Sequence, residues 1–273
     1  MARQARVAFT LVLGVGLSVA AAAWSGIGFQ SETASVGARD LTRWGLGVQA
    51  WLRDEPDSAG AQLARGVLLE CLASPGRPAD ASLAMLSRQD RDACGVDLGR
   101  PEVRPGMVVW YPDLPAGTRC GVPARQAYEA ALRRTPLPEA RLRLAHLTLQ
   151  QSGKPLPSEQ RQELRALAGQ DLGRPLSYLT WLFLGRDSER RGDANGADEA
   201  FGAGIAVEPR WSSARTAAAS ARFERGDFDA ARTLLGAGAE LTDDPWYSYP
   251  CRILTGEVRD ALDRWMARAG GTR

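Results

Sequence analysis

Hydrophobic and polar positions along this chain recur at helical spacing. Within Tyr178–Arg191, Trp181, Leu184 and Gly185 fall at i, i+3 and i+4 and share one face. Gly192-Asp193 then breaks the helix, because glycine accepts the positive φ needed just past a helix end. A second helix is predicted from Ala197 to Val207, with Ala197, Ala200, Phe201, Gly204 and Ile205 as its inner stripe. Glu208-Pro209 closes it, since proline disfavours helical geometry in the residue before it. The arrangement then returns: a helix over Ser212–Arg225, a turn at Gly226-Asp227, a helix over Phe228–Leu241, and Asp243-Asp244-Pro245.

The two copies, 178–211 and 212–245, are in register. Gly192-Asp193 aligns with Gly226-Asp227, Leu184-Gly185 with Ala218-Ala219, Ala197 with Ala231 and Phe201 with Leu235, each at an offset of 34. A fixed period in this range marks a repeat architecture. Small residues at Gly185, Ala197, Ala219 and Ala231 let helices approach, and Trp181, Phe201, Phe228 and Leu235 are expected to fill the space between them.

These residues resemble the tetratricopeptide family of helix-turn-helix repeats. The first copy supplies Trp181, Leu184-Gly185, Gly192, Ala197, Phe201, Gly204 and Pro209. The second supplies Ala218-Ala219, Gly226, Phe228, Ala231, Leu235 and Gly238, with Arg215 in place of the large residue and the proline displaced to Pro245. A weaker third copy begins at Pro138, turns at Gly153–Ser158 and continues over Glu159–Ala168; Ala124–Arg134 resembles a lone second helix before it. The resemblance covers about 124–245. It implies an all-α fold, a right-handed superhelix of stacked helix pairs. It also implies a concave groove lined by the first helix of each pair: Leu179, Leu182, Arg186, Glu189 and Arg190 in one copy, Ser213, Thr216, Ser220, Phe223 and Glu224 in the next. Arg186 and Arg190, one turn apart, suit a peptide carboxylate, or else ion pairs with Glu189, Asp187 or Asp193.

Outside the repeats, helices are expected over Val36–Leu52, with Leu41, Trp44, Val48 and Trp51 on one face, over Gly60–Leu72 and over Asp80–Asp92. Residues 24–94 thus form an N-terminal helical region, read as degenerate repeats. Residues 95–123 carry five prolines and several glycines and form an irregular insertion, with Met107–Tyr111 as a candidate strand. The segment 246–273 ends in an amphipathic helix, about Leu254–Ala267, expected to cap the last repeat as solenoids require.

Charge and cysteines narrow the function. The 34 basic and 32 acidic residues are interleaved and give a net charge of +2, which argues against a nucleic-acid surface. Arg3 and Arg6 precede an uncharged stretch, Val7–Ala23, with Ala21-Ala22-Ala23 as a small-residue cleavage site at its end. That layout is a secretory signal over 1–23, or an uncleaved anchor extending to about residue 29; both place the rest of the chain outside the cytoplasm, in the periplasm or envelope of a bacterium. An exported location permits disulfides. Of Cys71, Cys94, Cys120 and Cys251, the pair Cys94–Cys120 is favoured because it would clamp the Pro/Gly-rich segment, leaving Cys71 and Cys251.

The chain holds one histidine, His146, and no CxxC pair, G-x-S-x-G element or phosphate loop. No catalytic residue, metal ligand or cofactor is assigned. The expectation is a non-catalytic scaffold that binds a protein or peptide in its groove. The alternative is a structural subunit of a membrane or envelope complex held by its N-terminal helix.

Overall fold

The computed structural model describes residues 38–73, 87, 90, 94, 120–236 and 244–270. The expected leader, nearly all of the helix at 80–92, the candidate strand at 107–111 and most of the 95–123 segment lie outside the described residues.

The described chain is all-helical. Its elements are α1 (Ala38–Asp54), α2 (Ala59–Ala73), α3 (Gly121–Arg134), α4 (Pro138–Ser152), α5 (Ser158–Ala168), α6 (Arg174–Arg191), α7 (Ala194–Val207), α8 (Ser213–Glu224), α9 (Phe228–Gly236), the short α10 (Pro245–Ser248) and α11 (Gly256–Gly270). A 3₁₀ turn, Tyr249–Cys251, joins the last two. The insertion ends sooner than expected, because Gly121–Pro123 already belong to α3. Helix α9 is described over Phe228–Gly236; the rest of the expected helix, 237–241, lies outside the described residues.

The two repeat turns share one mechanism. Gly192 adopts φ 72° and Gly226 φ 81°, the left-handed conformation that glycine reaches without a Cβ penalty. The aspartate that follows each glycine then turns its carboxylate back onto the next helix. Asp193 accepts the Gly196 N–H at 2.9 Å, and Asp227 accepts the Ala230 N–H at 3.3 Å. Each interaction satisfies a donor that a helix start leaves without an intrahelical partner.

Packing inside the first copy follows from size. Phe201 on α7 is fully buried, and its ring lies where a Cβ on Gly185 of α6 would have to go, at 2.3 Å. Only glycine at 185 lets the two helices close on that ring. Helix α8 then packs on α7, and α9 on α8. Two polar links tie the copies together: the Tyr178 hydroxyl lies 3.0 Å from Ser213 Oγ and accepts the Ala214 N–H at 2.8 Å, while Arg222 of α8 and Arg225 just past its end both reach Asp198 of α7 at 2.7 Å.

The C-terminal helix departs from the expected arrangement. The apolar stripe of α11, Val258, Leu262 and Trp265, is buried, but against α1 and α2 and not over α9. It joins Leu41, Trp44, Val48 and Trp51 in a core shared with α2 and α3. The last repeat is consequently left without that cap: Phe228 and Leu235, expected between helices, are each 56% exposed.

Candidate interaction surface

Of the ten residues expected to line a groove, three are core residues. Leu179 and Leu182 are buried among α4, α5 and α6 side chains, and Ser213 is enclosed with Tyr178 and Asp244. The reason is helical phase: they lie on the side of α6 and α8 that faces neighbouring helices. The remainder, Arg186, Glu189, Arg190, Thr216, Ser220, Phe223 and Glu224, are at least partly accessible. Six of these seven come in pairs 34 positions apart, Arg186 with Ser220, Glu189 with Phe223 and Arg190 with Glu224, so α6 and α8 present matching rows; the counterpart of Thr216, Leu182, is buried.

Charges on these rows are partly used. Arg186 donates to Glu189 Oε2 at 3.0 Å, and its guanidinium lies 5.9 Å from the Phe201 ring centroid. Burial raises the Glu189 carboxyl above its ordinary value; Arg186 offsets part of that, and Glu224 across the inter-repeat step adds to it. Arg190 serves the fold differently, donating to the carbonyls of Leu149 and Lys154, while the buried Asp187 binds Arg191 and the Leu156 N–H. Burial and the neighbouring Arg186 lower the Arg190 pKa. The surface at α6 and α8 is therefore a polar face of mixed sign, with Phe223 as its large apolar member.

A second polar constellation is buried, and sequence reasoning missed it. Glu70 of α2 accepts hydrogen bonds from the Tyr128 hydroxyl of α3 at 2.5 Å and from Arg143 of α4 at 2.8 Å, and lies 2.8 Å from His146 Nδ1. Arg143, with no exposed surface, also binds Glu139 Oε1 at 2.9 Å and donates to the carbonyls of Tyr249 and Arg252. Glu139 in turn accepts the backbone N–H groups of Leu254 and Thr255, at 3.0 Å and 2.7 Å. The Tyr249 ring lies under the Arg143 guanidinium at 4.4 Å, and His146 stacks on Phe183 at 5.2 Å with Trp246 and Tyr249 edge-on. Burial raises the Tyr128 and Tyr249 hydroxyls well above their ordinary range.

This network is buried. Each carboxylate is saturated by donors and each side chain is enclosed, so its work is to hold 244–255 against α2 and α4. The signal was present: Glu139, Arg143 and His146 at i, i+4 and i+7 share one face of α4, a face too regular for scattered solvated charge.

Both cysteine pairs are disulfides. Cys94–Cys120 is joined, as the sequence reading favoured, and Cys71–Cys251 is joined beside the Glu70 network. Two disulfides fit an oxidising, exported compartment. Among the described residues, no helix is long and apolar enough to cross a membrane, and no group of His, Cys, Asp and Glu side chains is placed to hold a metal ion.

No protein-family model matches the chain, and no curated protein matches it either.

Proposed function

We propose that this chain is an exported, non-catalytic helical-repeat scaffold that binds a protein or peptide partner across the surface shared by α6 and α8. The observation that carries this reading is the in-register pairing of accessible residues on those two helices. Repetition extends a surface along a partner without requiring chemistry at any one point. The mixed-sign polar character suits an extended peptide better than a small apolar ligand, and Phe223 offers it one aromatic anchor. Arg190 is already committed to backbone carbonyls, so Arg186, Thr216, Ser220 and Phe223 are the positions proposed to meet the partner.

The test is comparative. Wild-type protein and a Thr216→Arg/Ser220→Arg variant, each retained on a resin, are exposed to extract of the native host. A partner that co-purifies with wild type and is lost from the variant, at unchanged melting temperature, supports the reading; identical capture by both sinks it. Intact mass of the protein recovered from its host separates a free exported scaffold, starting near Trp24, from one anchored by its N-terminal helix.

A further inference from the structure

We propose that the outer face of α9 pairs with the same face of a second copy of this chain. The face is defined by register. Leu235 stands 34 positions after Phe201, which is fully buried with its ring against Gly185 of α6. No helix of the described chain does for α9 what α8 does for α7, since α11, the expected cap, is used at α1 and α2. Phe228 and Leu235 are 56% exposed and Phe223 is 44% exposed, three of the five large hydrophobic residues exposed among the described residues. They are contiguous: the Phe223 and Phe228 rings meet edge to face at 5.1 Å, and Leu235 lies seven residues, about two helical turns, beyond Phe228 on the same stripe.

The charges around this stripe suit a two-fold partner. Arg232 sits between Phe228 and Leu235, at i+4 from the first, while Glu224 and Asp229 flank it; all three are exposed, and none makes an ion pair among the described residues. The neighbouring Arg222 and Arg225 are engaged with Asp198. A face with an unpaired base and unpaired acids beside one apolar stripe is complementary to itself when turned through 180°. Antiparallel pairing of α9 with its copy sets Phe228 against the partner's Leu235 and brings Arg232 within reach of the partner's Asp229.

Area sets the strength. The exposed halves of the three apolar side chains amount to roughly 300 Å² per copy. With the flanking polar side chains the interface buries on the order of 1,000 Å² in all, the low end for a specific complex. The dimer is accordingly weak and concentration-dependent.

Sedimentation velocity on the mature protein, from about 1 to about 300 µM, reads this directly, because a small interface associates in that range. The expected result is a monomer–dimer equilibrium that Phe228→Asp and Leu235→Asp each weaken by about tenfold or more. Both positions are exposed, so the circular dichroism spectrum and melting temperature stay at wild-type values. Arg232→Glu weakens self-association, and mixing it with Asp229→Arg restores a heterodimer that neither variant forms alone. A monomer throughout the range overturns the proposal, as does a dimer insensitive to these substitutions. Phe223 is common to this face and to the surface proposed for a partner, so the two readings are separated by substituting Phe228 and Leu235, which belong to this face alone, and by measuring purified protein with no partner present.

Discussion

At the residue scale, the most consequential group is Glu70. Burial alone raises its carboxyl; the Arg143 charge and the hydrogen bonds from His146 and Tyr128 outweigh that and leave it below its ordinary value. A lowered folded-state pKa favours the fold wherever the carboxyl is ionised in both states, and the contribution is lost as pH falls through the folded value. Glu70→Gln leaves Arg143 without one of its two buried carboxylates and is expected to cost about 3–5 kcal/mol at neutral pH. The gap in melting temperature between wild type and this variant should be full at about pH 6 to 7 and narrow below about pH 4. Tyr249→Phe is the internal control. The Tyr249 hydroxyl is buried and makes no hydrogen bond, so its removal is expected to be neutral or slightly stabilising. A gap that stays constant to low pH would show that Glu70 is not the titrating group. Nothing of this network was read from the sequence, because acids and bases on helices are usually solvated, and the partners of Glu70 lie 58 to 76 positions away.

At the scale of elements, the two helix–turn–helix hairpins were legible because their determinants are local. The glycine with positive φ, the capping aspartate and the alternation of small and large residues lie within one hairpin, and each copy states them again. The limits of that reading appear in the same hairpins. Phe201 and Leu235 are equivalent in sequence, yet one is buried and the other is not, since what covers a repeat is the next element in space. Leu179 and Leu182 are buried for a related reason: α6 is packed by α4, α5, α7, α8 and α10, and these neighbours decide which of its positions stay accessible. The two positions therefore separate under truncation. Phe201→Ala is expected to cost about 3–5 kcal/mol, as for a buried aromatic whose cavity persists. Leu235→Ala, measured in dilute monomer by urea denaturation, is expected to cost under about 0.5 kcal/mol. Similar losses at both sites would mean that α9 is covered in solution by an element of its own chain.

At the scale of the unit formed by Val36–Arg273, the governing fact is that its first and last helices share a core. A stack of helix pairs held only by neighbours would let its two ends move independently; here α11 lies on α1 and α2, and two devices fix it there. One is the Glu70–Arg143–Glu139 network, which gathers the backbone between Tyr249 and Thr255. The other is the Cys71–Cys251 disulfide, which joins α2 to the same segment across 180 positions. No local pattern announces such a contact, and for that reason the sequence left Cys71 and Cys251 as an unexplained remainder. Chain-entropy reasoning assigns about 5 kcal/mol to a loop of that length and about 3.5 kcal/mol to the 26-position loop of Cys94–Cys120. Cys71→Ala/Cys251→Ala is thus expected to be the more damaging pair replacement, by about 1.5–2 kcal/mol. Its effect should also be local. Once the crosslink is gone, 244–255 keeps the charge network, the Asp244 bonds to Ser212 and Ser213 and the Trp246 and Tyr249 rings on Phe183, whereas α11 keeps its apolar stripe on α1 and α2. Amide exchange in α11, whose stripe belongs to the other buried cluster, should then rise well before exchange in α6 and α7. Mass-resolved exchange on the two variants decides it. Selective loss of protection in the C-terminal segment supports the closure, whereas uniform loss would mean that the two cores unfold as one and that the disulfide stabilises the whole unit without fastening a particular part of it.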